Sequence, residues 1–244
     1  MSATSPPQQP DRRAGAPSAP ARAERLEAMS RIMLRPIGSP LPLGMVGLGG
    51  ASIVLTGDQL SWFPASQAHQ VALVVILFAA PIQLLAAVFG FLGRDGAGGT
   101  GMALLGVSWL TVGGLTLSSP PGSRSQVLGL LLFFVSAALM VPATASALGK
   151  VAAAVAFVMA GARFALTGVY EWSGIIGWER ASGWLGIALC VVALYNAFAF
   201  EVEDTKHRTI LPVLRWGAGK RAMDGSVLAE VEKVEQEAGV REQL

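Results

Sequence analysis

The sequence predicts an all-α, polytopic membrane protein with six transmembrane helices and cytoplasmic N- and C-terminal tails. Hydrophobic residues make up 52% of its 244 residues and charged residues only 14%, whereas charged residues are about a quarter of a typical soluble domain. The charges are concentrated at the two chain ends, and the interval from Leu41 to Phe200 contains only nine of them. Within that interval, six segments have the length and composition of membrane spans.

Short polar or glycine-rich connections separate the six predicted spans. A helix needs about 20 mostly apolar residues to cross the hydrocarbon core of a bilayer, and each segment is close to that length. Six such segments in one chain favour a membrane bundle over a soluble bundle whose helices are all buried. The spans are Leu41–Gly57, Gln70–Leu92, Thr100–Leu117, Gln126–Thr144, Val151–Tyr170 and Gly183–Phe200.

The positions of lysine and arginine predict the orientation of the chain. With both termini inside, fifteen of these residues lie on the cytoplasmic side, and only Arg124 and Arg180 lie on the other side. Short cytoplasmic loops of membrane proteins are enriched in lysine and arginine. We therefore expect a multi-pass protein of the plasma membrane with both termini in the cytoplasm.

The chain ends differ in composition from the membrane domain. Residues 1–38 are rich in Pro, Ala and Arg and lack the apolar run of a signal peptide, so they predict a disordered cytoplasmic tail. Residues 39–213 form the predicted six-helix transmembrane domain. Residues 214–244 form a second cytoplasmic tail, in which "SVLAEVEKVEQEAG" has the pattern of a short acidic amphipathic helix.

Residue types that carry catalysis or bind metals are sparse. The chain has two histidines, His69 and His207, and a single cysteine, Cys190, and it contains no HExxH, CxxC or GxxxxGK[ST] pattern. No basic stripe with interleaved aromatic residues is present to bind nucleic acid. The sequence therefore predicts that the protein is not an enzyme, holds no cofactor or metal, and has no nucleic-acid partner.

The first predicted span is rich in glycine and proline. In "GSPLPLGMVGLGGASIVLTG" two prolines precede a short helix that contains four interior glycines, each of which costs about 1 kcal/mol relative to alanine in a helix. Small residues let a neighbouring helix or a solute approach the backbone closely, and spans interrupted by Gly or Pro are typical of a transporter's substrate path. Tight helix packing explains the composition equally well.

Several stretches follow a known pattern in order along the chain. "SPLPLGMVGLG" is similar to N-P-x-P-L-G-L-x-G-F-G, "FAAPIQLLAAVFG" to aromatic-G-G-x-x-Q-x-x-A-G, and "GWLGIALCVVALYNAFAFEVEDTKHRTILPV" to a final span followed by G-R-T-x-L-P. With "GVSWLTV" and "QVLGLLLFF" between them, they resemble the acetate uptake transporter family, the YaaH/SatP-like acetate–succinate carriers. The resemblance covers about Ser39 to Val213.

The resemblance implies an activity and an assembly. It implies six helices per protomer, a homo-oligomer that is typically a hexamer, and a separate solute path through each protomer. The implied substrates are acetate and related small carboxylates such as succinate, usually moved together with protons. Lipid bilayer, substrate and other copies of the chain are therefore the expected partners.

The resemblance also places residues in the substrate path. At the three constriction positions the family commonly has Phe, Tyr and Leu, and the smaller side chains here imply a wider passage. The path positions are Leu48, Leu105 and Ala160 at the constriction, Gln83 in the second span, and Pro42 and Gly44 in the opening motif.

The fifth span contains a charge that the family pattern does not carry. In "AFVMAGARFALTGVY", Arg163 lies near the middle of a spanning helix, where a guanidinium costs about 2.5–3.5 kcal/mol on insertion scales. We expect Arg163 and Thr167 to face the path, where the positive charge would attract carboxylates; the alternative is a side chain that extends to the lipid headgroups. By helical spacing, Arg163 shares a small or polar face with Ala153, Ala156, Ala160, Thr167 and Glu171.

Other functions remain open from the sequence. A passive channel for small neutral solutes, such as urea, short amides or undissociated acid, would have the same composition. A membrane-anchored sensor or scaffold would need partner motifs in its tails, and none is recognisable. No Asp, Glu or His lies near the middle of a span, so we expect any proton to travel with the substrate as undissociated acid, or transport to be uncoupled from protons.

Overall fold

The structure, a computed structural model, describes residues 38–206 and 208–217, and all regular secondary structure in this part is helical. It contains six helices that are long and apolar enough to cross a membrane, which confirms the predicted all-α fold with six transmembrane helices. Residues 1–37 and the predicted acidic helix of the C-terminal tail lie outside the described residues. The helices are α1 (Leu41–Gln59), α2 (Ala65–Leu92), α3 (Gly96–Ser118), α4 (Gln126–Ala147), α5 (Val151–Ser173) and α6 (Ile176–Lys206).

The last helix begins earlier than expected. The polar stretch "EWSGIIGWERAS" predicts a connection, but only Gly174 and Ile175 within it are non-helical. Gly174 ends α5 with a left-handed φ of 72°, a conformation that glycine adopts without steric penalty. The predicted start of the last helix was wrong because hydropathy measures only how readily a side chain enters lipid. It does not report whether the backbone is helical, and charged side chains at the end of a helix leave its backbone hydrogen bonds intact.

Two prolines interrupt the regular hydrogen bonding of two long helices. Val75–Ala79 in α2 is a π-helical turn, and Leu139 separates two α-helical parts of α4. Proline has no N–H to donate to the carbonyl four residues earlier, and Pro81 and Pro142 lie just after these two irregular segments. The local sequence therefore explains both irregularities.

The glycines of α1 bring it into close contact with α2 and α3. A Cβ atom built on Gly47 would lie 2.9 Å from Cγ of Gln83 and 3.3 Å from the carbonyl oxygen of Ala79. A Cβ on Gly44 would meet the sulfur of Met102. The close approach predicted from the glycine content is confirmed for this helix.

The helices pack in neighbouring pairs, α1 with α6, α2 with α3 and α4 with α5, and α5 also packs on α6. We call the end of the bundle that holds the start of α1 and the end of α6 the termini end, and the opposite end the far end. At the termini end, the chain after α6 returns across the bundle, where Val213 is fully buried and Trp216 Nε1 donates to the carbonyl of Ala147 at 2.6 Å. Contacts with the helical domain thus continue past residue 213, where the sequence places the domain boundary.

Candidate functional site

The predicted constriction lies in the closed interior of the bundle. Leu48 and Leu105 have no exposed surface, and Ala160 is 2% exposed. All three belong to one continuous hydrophobic core. The structure therefore buries all three in the same interior core of the bundle.

A glutamine lies at the junction of α1, α2 and α3. Gln83 Nε2 donates to the carbonyl of Gly44 at 3.2 Å, and Gln83 Oε1 accepts from Trp109 Nε1 at 2.5 Å. The predicted path residues Gly44 and Gln83 are thus in direct contact, and Pro42 is buried two residues earlier in the first turn of α1. We call Gly44, Gln83, Met102 and Trp109 the glutamine cluster; Met102 contributes its sulfur 3.8 Å from Gln83 Nε2.

Trp109 is a candidate path residue that the sequence interpretation missed. Its ring is buried and lies 5.1 Å from the ring of Phe164, at an interplanar angle of 52°. Trp109 follows Leu105 by one helical turn, and Phe164 follows Ala160 by one turn. This i, i+4 spacing from two constriction positions was the signal that would have identified both aromatic residues.

A second polar group, the arginine cluster, joins α1, α5 and α6. Arg163 is only 3% exposed, and its Nη2 donates to Gln59 Oε1 at 2.9 Å and to Thr56 Oγ1 at 3.3 Å. The guanidinium therefore points into the bundle, and the alternative in which it extends to the headgroups is wrong. The arginine cluster consists of Thr56, Gln59, Arg163, Thr167 and Ser182.

Hydroxyl groups complete this cluster. Gln59 Nε2 donates to Thr167 Oγ1 and to Ser182 Oγ, both at 3.2 Å, and these two hydroxyl oxygens are 2.8 Å apart. Thr56 Oγ1 also donates to the carbonyl of Gly183 at 3.2 Å. Arg163 and Thr167 therefore belong to one network, in which the bonds of Gln59 hold the guanidinium and the hydroxyls together.

Three members of the arginine cluster were missed from the sequence. Ser182 was assigned to a connection, and Gln59 lies just beyond the predicted end of the first span. Thr56 follows Leu48 by two helical turns on the same helix face, which was a usable signal. Hydrogen bonds to a residue more than 100 positions away leave no pattern in the local sequence.

The charge of Arg163 has no counter-ion in the described part of the chain. Ion pairs between Lys150 and Asp95 and between Arg215 and Glu203, each at 2.6 Å, lie at the termini end. Arg163 forms no ion pair there or elsewhere in the described residues, and its Nε and Nη1 atoms have no hydrogen-bond partner. A buried charge without compensation is strongly unfavourable, so the cluster is a candidate site for an anionic ligand.

A small cavity of about 110 Å³ lies at the far end, and its lining includes no residue of the arginine cluster. Asp58, which lines the cavity, immediately precedes Gln59 of the arginine cluster. Its charged lining also includes Arg124, Glu171 and Glu179, and Glu171 Oε2 accepts from the backbone N–H of Ser125 at 2.6 Å. The far end of the bundle therefore has a polar recess whose lining carries three acidic side chains and one arginine.

Comparison with known proteins identifies a structure with the same fold. A solved structure described as that of the bacterial acetate channel SatP matches with a TM-score of 0.65 and 22% sequence identity, over 72% of this chain and 98% of that chain. No model of a known protein family matches the sequence, and no curated protein matches it. The chain therefore has the fold of that membrane channel, in agreement with the fold that the family resemblance implies.

Proposed function

We propose that this protein transports acetate or related small carboxylates across the plasma membrane, through a path inside each protomer. The observation that carries the proposal is the arginine cluster, a charged and hydroxylated group buried in a largely apolar bundle. A helix bundle that served only as an anchor would gain no stability from an uncompensated guanidinium in its interior. The shared fold with an acetate channel supports the same conclusion by analogy.

The order of residues along two helices supports the proposed path. On α1, Leu48 is followed at helical spacing by Ser52, Thr56 and Gln59, so that the lining changes from apolar to polar towards the far end. On α5, Ala160 is followed in the same direction by Arg163 and Thr167. A carboxylate that enters from the far end would therefore meet the arginine cluster before the predicted constriction.

We infer the arrangement in the membrane from the distribution of lysine and arginine and from the apolar side chains on the outer surface of the bundle. We place both termini in the cytoplasm of a plasma-membrane protein, because lysine and arginine are concentrated at the termini end. The outer surface of the bundle exposes large apolar side chains such as Leu77, Leu130 and Phe134, which suit lipid or a neighbouring copy of the chain. A homo-oligomer, and by resemblance a hexamer, with one path per protomer is part of this proposal.

Uptake into proteoliposomes tests the proposed function. Purified protein is reconstituted, and uptake of labelled acetate, succinate, acetamide and urea is measured with and without an imposed proton gradient. Protein-free liposomes of the same lipid give the background, since undissociated acid crosses bilayers without protein. We expect protein-dependent, saturable uptake of acetate that exceeds uptake of acetamide. Uptake of urea and acetamide but not acetate would identify a neutral-solute channel, and no protein-dependent uptake of any solute would favour a sensor or scaffold.

A further inference from the structure

We infer that Arg163 and Ser52 form a binding site for the ionised carboxylate group of the substrate, on the far-end side of the constriction. The inference rests on the proposed function for the identity of the ligand as a transported carboxylate. It adds the residues that hold the ligand and the protonation state in which the ligand is bound.

The unsatisfied polar atoms of the bundle interior point to this site. Among the described residues, the buried side-chain nitrogen and oxygen atoms without a hydrogen-bond partner are Ser52 Oγ, Arg163 Nε and Arg163 Nη1. Buried polar atoms in proteins are nearly always paired, so each exception requires an explanation. Ser52 lies one helical turn before Thr56, which accepts a hydrogen bond from Arg163. The orphaned atoms therefore belong to two neighbouring parts of one region.

The donors that remain free match a carboxylate. Nε of an arginine carries one N–H and Nη1 carries two, and a serine hydroxyl adds an O–H. An ionised carboxylate only accepts hydrogen bonds, through two oxygens with about four lone-pair positions. Bonds between a guanidinium and a carboxylate are about twice as strong as those between neutral groups. Because Nε–H and Nη1 lie on different edges of the guanidinium and Nη2 is occupied, one carboxylate can accept from only one of them. Nε lies against the backbone of α6, so we assign one carboxylate oxygen to Nη1 and the other to the hydroxyl of Ser52.

The charge of the site selects a monoanion in its ionised form. Arginine stays protonated at physiological pH, and no carboxylate of the described residues neutralises Arg163. One bound monocarboxylate would bring the net charge of the site to zero, whereas undissociated acid or an amide would leave the guanidinium uncompensated. A dianionic group such as phosphate would leave a buried negative charge instead.

The neighbouring residues hold the guanidinium in position. Gln59 accepts from Nη2, which leaves Nε and Nη1 free, so Gln59 is a positioning residue. A Cβ atom on Gly186 of α6 would meet Thr56 Oγ1 first, and it would also lie 2.8 Å from Cζ and 2.9 Å from Nε of Arg163. The backbone of α6 therefore lies directly against the guanidinium, and any side chain at position 186 would displace it.

Binding measurements on the full chain in detergent test the inference. Titration calorimetry at pH 7 uses sodium acetate as the ligand, with acetamide as the neutral analogue of the same size and sodium chloride as the simple anion. We expect the wild type to bind acetate with an affinity at least tenfold higher than that for acetamide or chloride. Arg163→Gln should lower acetate affinity by tenfold or more, and Arg163→Lys, which retains the charge but not the planar fork, by less. Unchanged acetate binding in Arg163→Gln, or no binding by the wild type, overturns the inference.

A matched pair of glycine variants tests the geometry without removing the charge. Gly186→Ala should lower acetate affinity to a degree similar to Arg163→Gln. The control is Gly49→Ala, at the interface of α1 with α6, where a Cβ would lie 3.6 Å from Leu194, an ordinary contact distance, so binding should be unchanged. An equal loss in both variants would mean that general packing and not this site controls binding. Retention of acetate affinity in Gly186→Ala would contradict the position assigned to the ligand.

The binding and uptake experiments together distinguish a failure of the carboxylate site from a failure of the proposed transport function. If reconstituted wild type takes up acetate while Arg163→Gln binds and transports it equally well, the carboxylate site is refuted and the proposed transport function stands. If acetate binding depends on Arg163 but no protein-dependent uptake occurs, the site stands and the transport function is refuted.

Discussion

Arg163 and Arg215 are two mostly buried arginines with opposite surroundings. Arg215 at the termini end is held by both oxygens of Glu203, with Nε at 2.6 Å from Oε1 and Nη2 at 2.8 Å from Oε2. Glu203 is 4% exposed and also accepts from Thr209 Oγ1. Arg163, whose guanidinium is bonded to the last turn of α1, has only neutral partners, and two of its three guanidinium nitrogens have none.

The difference separates a structural charge from a functional one. A bidentate arginine–carboxylate pair is geometrically specific and neutral overall, so it can fasten the chain after α6 against the bundle. A guanidinium without a counter-ion lowers stability unless a ligand neutralises it. The two arginines should therefore respond in opposite ways when stability and ligand binding are measured separately.

The largest effect is expected on stability at Arg215. Arg215→Gln leaves Glu203 buried and unpaired, which should destabilise the fold by about 3 kcal/mol and lower the melting temperature by about 10 °C for a chain of this size. Arg163→Gln should leave the melting temperature unchanged or raise it, because it removes an uncompensated charge. Thermal unfolding of both variants in the same detergent measures the contrast. An equal decrease of the melting temperature in both variants would show that Arg163 is a structural residue.

The next largest effect is expected on charge discrimination in transport. Loss of a hydrogen bond to a charged group is worth about 1.5–3 kcal/mol, so Arg163→Gln should reduce acetate uptake about tenfold to a hundredfold while acetamide uptake is spared. Arg215→Gln is the matched control and should keep the acetate-to-acetamide ratio of the wild type. Proteoliposome uptake with equal amounts of reconstituted protein gives the ratios. An equal change of the acetate-to-acetamide ratio in both variants would show that the two arginines do not differ in their effect on charge discrimination.

A several-fold effect is expected on size selection at the constriction. Leu48→Phe combined with Leu105→Tyr adds bulk to two fully buried positions, so uptake of succinate should fall more than uptake of acetate. Leu132→Phe, at a buried position on α4 outside the predicted path, controls for overpacking of the core. If the double variant takes up acetate and succinate in the wild-type proportion, these side chains do not form the constriction.

The smallest expected effect is the change in acetate affinity between pH 6 and pH 8. A carboxylic acid with a pKa near that of Glu, about 4.3, is about 98% ionised at pH 6 and almost fully ionised at pH 8. If Arg163 binds the ionised form, acetate affinity should change less than twofold across this range in titration calorimetry. If undissociated acid were the bound species, acetate affinity would fall about tenfold for each unit by which the pH rises. That result would contradict the inference that the bound ligand neutralises the charge of Arg163.

The elements of the fold could be predicted because their causes are local. Hydropathy over about 20 residues located the starts of α1, α4 and α5 at Leu41, Gln126 and Val151, where the structure has them. Helical periodicity placed Arg163 on the same face as Ala156 and Ala160, and all three are buried. The extent of α6 was not predictable in this way, because the residues around Glu179 are polar yet continue the helix.

The sequence by itself determined that six apolar helices form and that one of them carries a permanent charge on its small, polar face. Only the tertiary structure decided what that charge contacts. Gln59 and Arg163 are 104 positions apart, and whether Nε and Nη1 find acceptors depends on how α1, α5 and α6 pack. The sequence places Arg215 in the C-terminal tail. In the structure it pairs with Glu203, because the chain after α6 folds back against the end of the bundle. Periodicity identifies the face on which a charge lies, whereas the partner of a buried charge is set by packing between segments that are distant in the chain.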